Sequence, residues 1–371
     1  MNYINTIKTA VITFPFIAFL FTIPFILGQY HKYGSIHKWR VVIIYSFILY
    51  LITAYFMVIL PLPSIEEVSK LTTPSMNLIP FSFVENFLDN TSFVWNQPQT
   101  YLKALTEPCF YVVAFNIVLT IPFGMYLRYY YQCSLKKTIF LSFLLSLFFE
   151  LTQLSGLYFI YPRSYRLFDV DDLILNTLGG VIGYFIMGLF SSFLPSRKAI
   201  DARSYEIGLN VSGLRRITLF FLDLFLFVIC LGLAVLLFSP SYPVITTAFV
   251  YYVVIPVLFD GKTLGGKFLN VKMVIRSAPI IWLSLRMLFL FFFYFLVPIL
   301  VVMFAIFLKN SFALDAVPNI LFFLGTAGFL FFFYFFLLVF LLRRKKIFYD
   351  RWFPIRFQST ILEKKRDFSD S

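Results

Sequence analysis

Apolar runs of about 20 residues recur along the chain, separated by polar loops. They predict nine membrane-crossing helices at about 9–27, 40–60, 108–127, 137–160, 171–193, 216–238, 243–259, 280–308 and 319–342. Each run matches a hydrocarbon core about 30 Å thick, crossed at about 1.5 Å per residue. The 243–259 run is the shortest, and 280–308 is long enough to tilt or to begin in the interface. The alternating segments of about ten residues that a membrane β-barrel needs are absent. The pattern therefore predicts an all-α, polytopic helical membrane protein of two bundles, five helices plus four. The first run follows a single lysine, Lys8, and ends without a small-residue cleavage site, so a retained helix is expected rather than a cleaved signal.

Charge between the runs predicts orientation. The 28–40, 128–137, 194–216 and 260–286 segments are basic, and Arg343-Arg344-Lys345-Lys346 opens the C-terminal tail. The long 61–107 loop between them carries Glu66, Glu67, Glu85, Asp89 and Glu107. Lys and Arg collect on the cytoplasmic side, which puts the N-terminus outside and the C-terminus in the cytoplasm of a multi-pass cell-membrane protein. The domains expected are a membrane module over 1–195, a cytoplasmic linker at 196–212, a second module at 213–357 and a cytoplasmic tail at 358–371. Within 61–107, Asn77 to Phe81 is apolar enough to dip back onto the membrane surface, and an ordered connector is the alternative.

Composition changes this picture little. A chain 60% hydrophobic and 13% charged, with mean hydropathy +0.85, fits the membrane reading. Its net charge of +13 is explained by cytoplasmic loops and anionic lipid, without nucleic acid. Cys109, Cys133 and Cys230 lie far apart in no metal-binding spacing, and the two histidines, His31 and His37, share one basic loop. No disulfide, metal site or cofactor is expected.

Against that background one stretch is anomalous. Residues 150–183 put Glu150, Gln153, Arg163, Arg166, Asp169, Asp171, Asp172 and Asn176 at the joint between two apolar runs. Charge near a bilayer core costs roughly 2.5 kcal/mol or more per group, so the cluster is a candidate site. Glu150 and Gln153 share a helix face, as do Asp172 and Asn176 at the start of the next helix, where Asp171 or Asp172 could cap the amides. Asn116 on the preceding helix faces the same space. Gly179 and Gly183 have the spacing that lets helices approach closely. Two readings stay open. In one, Arg166 pairs with Asp169 or Asp172 and Glu150 bonds Asn176, which locks the helices together. In the other, Arg163 and Arg166 with the carboxylates hold a lipid headgroup, since the planar guanidinium suits phosphate or carboxylate.

These motifs carry a resemblance. Asn77-x-x-Pro80-Phe81, Asn116, Pro122-Phe123-Gly124, Glu150-x-x-Gln153 and Arg166-x-x-Asp169-x-x-Asp172-x-x-x-Asn176-Thr177-x-Gly179 resemble the VanZ-like family over about residues 40–193. The resemblance implies a multi-pass protein linked to resistance against lipoglycopeptides such as teicoplanin. It carries roles onto Asn116, Glu150, Gln153, Arg166, Asp169, Asp172 and Asn176. Arg163 and Asp171 are charges outside the pattern.

The C-terminal half offers a second polar site. Arg216 and Asp223 are two helical turns apart, which puts Asp223 roughly 10 Å into the membrane, where Arg216, Lys262 or Arg286 could partner it. The Gly-rich 260–267 segment lacks phosphate-loop spacing. Arg216, Asp223, Gly261-Lys262-Thr263-x-Gly265 and Asp350-Arg351 resemble the RDD family over about residues 211–357; the doubled Gly265-Gly266 and the Trp352-to-Gln358 ending depart from it. That family's suggested role is transport. The second site is thus Arg216, Asp223, Lys262 and Asp350.

The function expected is non-enzymatic binding of a cell-envelope lipid headgroup, a cell-wall lipid precursor or the drug itself at the outer leaflet of a Gram-positive cell. An ion- or lipid-moving transporter is the alternative. An intramembrane enzyme acting on a lipid phosphate comes third, because no histidine or evident nucleophile lies at the cluster.

Overall fold

The computed structural model describes residues 3–238, 241–311, 316–343 and 352–362. Eleven helices carry the argument: α1 (Tyr3–Tyr33), α2 (Lys38–Ile59), α3 (Ser82–Asn90), α4 (Pro108–Tyr129), α5 (Leu135–Leu154), α6 (Val170–Phe190), α7 (Arg197–Gly208), α8 (Gly213–Phe238), α9 (Pro243–Leu258), α10 (Pro279–Phe304) and α11 (Ala316–Arg343). Four short strands accompany them: β1 (Met76–Asn77), β2 (Phe168–Asp169), β3 (Val271–Ile275) and β4 (Ile355–Ser359). The described chain is mostly helical. Seven helices among the described residues, α1, α2, α4, α5, α6, α8 and α10, are long and apolar enough to cross a membrane, which makes this a multi-pass membrane protein. Two further apolar helices, Pro243–Leu258 and Phe323–Phe336, are shorter.

Several boundaries differ from the sequence pattern. The crossing expected over 137–160 stops at Leu154, because Ser155 accepts the Tyr158 N–H and Gly156 takes φ +61°. The polar 196–212 linker is largely helical as α7. Gln358 and Ser359, expected in the tail, complete β4, which pairs antiparallel with β3 from Val271↔Ser359 to Ile275↔Ile355. Period-two alternation fits that pair of strands: Val271, Met273 and Ile355 turn inward while residues 272, 274 and 356 stay partly or fully exposed.

The chain divides into two compact units, one of residues up to 22 with 38–200, the other of 23–37 with 201–371. Residues 23–37, expected in the first module, thus count with the second unit. In the first unit α4, α5 and α6 pack with their backbones in near contact. A Cβ on Gly179 or Gly183 would overlap the carbonyl of Ile117 or Ile121 of α4, and one on Gly124 would overlap that of Gly180. A polar row lines the inner side of α5. Thr138, Ser142, Ser146 and Glu150 recur every fourth residue, all buried, so one helix face carries the polar groups into the bundle rather than to lipid.

The second unit is centred on the start of α8. Arg215 is 0% exposed and spends its guanidinium on backbone: Nε and Nη2 donate to the Leu269 carbonyl (3.0 and 2.8 Å), Nη1 to Gly208 (2.9 Å) and Nη2 to Asn270 (2.7 Å). In the sequence pattern it falls in the basic 194–216 segment, because the apolar run begins only after it.

Candidate functional site

The corner where α5 ends and α6 begins gathers the polar residues. Asp169 has extended backbone and caps α6, its carboxylate accepting the Asp171 N–H at 2.9 Å. The cap is therefore Asp169, not Asp171 or Asp172, because only Asp169 leaves the helix with a side chain folded back over it. β2 pairs parallel with β1, Met76↔Phe168 and Asn77↔Asp169, so the Asn77-to-Phe81 stretch is docked on this corner. Asn77 donates to Asp169 at 3.2 Å and to Ser82 at 2.9 Å. Asp171 is buried and accepts the Phe81 and Phe83 amides and the Ser82 hydroxyl, the last two at 2.9 and 2.7 Å.

Beneath that corner lies the row expected to carry function. Glu150 is 2% exposed, and its Oε2 accepts the Asp169 N–H at 3.0 Å. Asn116 of α4 donates to Asp172. Asn176 donates to Ser146 at 3.1 Å and takes the Thr120 hydroxyl on its carbonyl at 2.7 Å. Ser146 in turn donates to the Asp172 carbonyl at 3.1 Å. Asn116, Asp172 and Asn176 are thus linked through Ser146 across α4, α5 and α6, with the Glu150–Asp169 bond as a second, separate contact between α5 and the start of α6.

Both arginines donate hydrogen bonds to backbone carbonyls. Arg166 donates to the carbonyls of Val58 (2.7 Å) and Leu60 (3.0 Å), and Gln153 joins it on Val58 at 3.2 Å. Carbonyls at a helix C-terminus have no intrahelical partner and attract cations, so the end of α2 takes these two Arg166 hydrogen bonds. The Arg166 charge still acts on Glu150 and Asp172 across space. Arg163 donates to the Leu71 and Thr73 carbonyls and pins the 71–75 segment. Glu150 and Asn176 do not bond each other; each has the partner named above.

Three buried polar atoms here lack a protein partner: Arg163 Nε, Tyr165 Oη and Asn176 Oδ1. Such an atom costs about 1–3 kcal/mol unless something meets it. Burial pushes the Tyr165 hydroxyl up to about 12, against the opposing Arg166 charge. The backbone beside it is also costly. Leu157, Tyr158 and Phe159 follow Gly156 with φ of 54°, 59° and 69°, a left-handed turn that costs roughly 1–2 kcal/mol for each non-glycine residue. Among the described residues no group of three or more His, Cys, Asp or Glu is arranged to hold a metal ion.

The second expected site is differently built. Asp223 accepts from Tyr251 Oη and Thr263 Oγ1, both at 2.9 Å, and from the Gly265 N–H at 3.0 Å. Neutral donors thus replace the expected cations, because a Cβ-free Gly265 brings its amide onto the carboxylate. Arg286 acts on Asp223 through space, while Arg216 lies over the Phe357 ring at 4.4 Å. Lys262 stands in the turn before Thr263, and Asp350 lies outside the described residues.

Residues 47–191 match the VanZ/LLP1 family model, so the chain carries a VanZ-like domain over the region that holds the α4–α6 cluster. That family is associated with teicoplanin resistance in general. No curated protein and no solved structure matches the chain.

Proposed function

We propose that the VanZ-like domain binds a cell-envelope lipid headgroup, or a lipoglycopeptide, at the outer leaflet and lowers the drug's access to its target without chemical turnover. The observation that carries this is the set of unpartnered buried atoms, Tyr165 Oη, Arg163 Nε and Asn176 Oδ1, along the same α5–α6 stretch as a nearly enclosed Glu150. A purely structural network would be expected to satisfy its own members. With the Arg163 and Arg166 Nη groups engaged on carbonyls, the acceptors Glu150, Asp172 and Asn176 favour a headgroup rich in amines and hydroxyls over a bare phosphate. The charge pattern that puts the N-terminus outside also puts this corner outside. Residues 211–357, with their RDD-like motifs, serve as a supporting module in the same proposal.

Susceptibility of a Gram-positive host expressing wild type or Asp172→Ala at matched membrane levels tests it, with teicoplanin compared against vancomycin, which lacks a lipid tail. Protection against teicoplanin alone, reduced severalfold or abolished in Asp172→Ala, is expected. Equal protection from both proteins removes Asp172 from the mechanism. The buried row Thr138, Ser142, Ser146 and Glu150 favours one second reading, an ion-coupled transporter. Protection that vanishes when the proton gradient is collapsed would turn the proposal towards it.

A further inference from the structure

Two apolar projections flank the Asp169–Asp171 corner, and the polar cluster uses neither. On α3 and its cap, Phe81, Val84 and Leu88 recur at helical spacing on one face and are 59%, 44% and 55% exposed. In the left-handed turn after α5, Phe159 is 88% and Ile160 60% exposed. The inward side of α3 is already occupied, since Phe87 packs on Phe93 and Phe110. Its far side is polar, with Asn90 donating to Asn86. The outward apolar face is therefore surplus to the fold.

Both projections are held outward by costly backbone. Phe81 has φ +64° and is fixed there by the Asp171 carboxylate, which grips the amides of residues 81 and 83. The 156–159 turn is left-handed throughout and is closed by the Tyr161 N–H on the Gly156 carbonyl at 2.9 Å. Strain of this kind persists where the placement it secures is useful. Depth is fixed as well. Asp171 is in the first turn of membrane-spanning α6, and α5 ends at Leu154, so both projections hang where two spans leave the hydrocarbon.

We propose that α3 and the 156–160 turn are interfacial anchors, which insert Phe81, Val84, Leu88, Phe159 and Ile160 into the headgroup–acyl boundary of the adjoining leaflet. The occupant of the apolar face is lipid, because the face lies at the level of the bilayer surface and aromatic and aliphatic groups partition there. α3 carries Glu85 and Asp89 and no Lys or Arg. Insertion is therefore driven by apolar area and gains nothing from anionic lipid. This goes beyond headgroup binding and holds whether or not the cluster takes a ligand.

Nitroxide labels on the full chain, reconstituted in phosphatidylcholine vesicles, provide the test. Leu88→Cys, Phe159→Cys and Asn90→Cys are each made after replacing Cys109, Cys133 and Cys230. Labels at 88 and 159 are expected to collide severalfold more with oxygen than with a water-soluble nickel chelate, with the reverse at 90. Added phosphatidylglycerol should leave the values unchanged. Nickel access at 88 and 159 equal to that at 90 overturns the proposal. Low access to both reagents overturns it too, and points to a second copy or another protein on the face. If the cysteine-free chain fails to fold, Phe159→Trp in the native background gives the same decision. Brominated lipid should then quench more fluorescence than in the parent, and unchanged quenching sinks the idea.

Discussion

Asp171 places three donors, the Phe81 and Phe83 amides and the Ser82 hydroxyl, on one buried carboxylate. Hydrogen bonds to a charged group are worth about 1.5–3 kcal/mol each, and they are not additive. Asp171→Ala should therefore destabilise the first unit by about 2–3 kcal/mol and free the start of α3. A lowered melting temperature in detergent, with faster amide exchange at residues 81–83, is the expected result. An unchanged melting temperature would mean that the loop is held by other contacts. Among single residues, Asn116, Glu150, Asp169, Asp172 and Asn176 were legible, because helical spacing puts them on facing sides and charge is rare in such a chain. Asp171 was not, since its partners lie about ninety residues upstream and no local period links them. The carbonyl partners of Arg163 and Arg166 were hidden for a related reason: a sequence shows side-chain charge but not the open backbone acceptors at Leu71 and Thr73 or at the end of α2.

At the scale of elements, the long apolar helices could be read directly, because membrane thickness sets their length. What joins them could not. The 61–107 segment is held by the β1–β2 pairing, by Asp171, and near its end by Glu107, which accepts the Ser92 hydroxyl at 2.6 Å and the Ser92 N–H at 2.8 Å. Those two bonds, with Lys103 nearby, hold the half-buried Glu107 carboxyl below the ordinary carboxylate range. A carboxylate with a depressed folded value stabilises above its unfolded value, and that contribution is lost as pH falls through the folded one. Wild type should accordingly melt above Glu107→Gln at neutral pH, and the gap should close below about pH 4. A gap that stays constant into acid would show that charge on Glu107 does not hold this connection. The left-handed turn at 156–159 was equally hidden, since the apolar residues there read as helix and only Gly156 hints otherwise.

The whole molecule is not two consecutive modules. Residues 23–37, the second half of α1 and the turn after it, count with the unit that otherwise begins at 201. Their part in that unit is substantial. Tyr30 is buried with Leu219, Leu269 and Val271, and Asn270 donates to the carbonyls of Tyr30 (3.2 Å) and His31 (2.8 Å). Ser35 donates to the Ser204 carbonyl at 2.6 Å, and Gly34, at φ +69°, leaves room for the Arg215 guanidinium. A fragment of residues 201–371 therefore lacks part of its own core, including the apolar cover over Leu219 and Leu269. Removing one large buried side chain costs about 3–5 kcal/mol, and a whole helical segment costs more. The fragment alone should be degraded in cells, or should unfold well below the full chain in detergent. Co-expressed residues 1–200, which bring 23–37 with them, should restore its level. A fragment that is stable alone would show that the first helix is an accessory to the second unit, and would return the boundary to the loop before α7. Stability only with the partner fragment would mean that the first helix, made before either unit is complete, belongs to the folding of both.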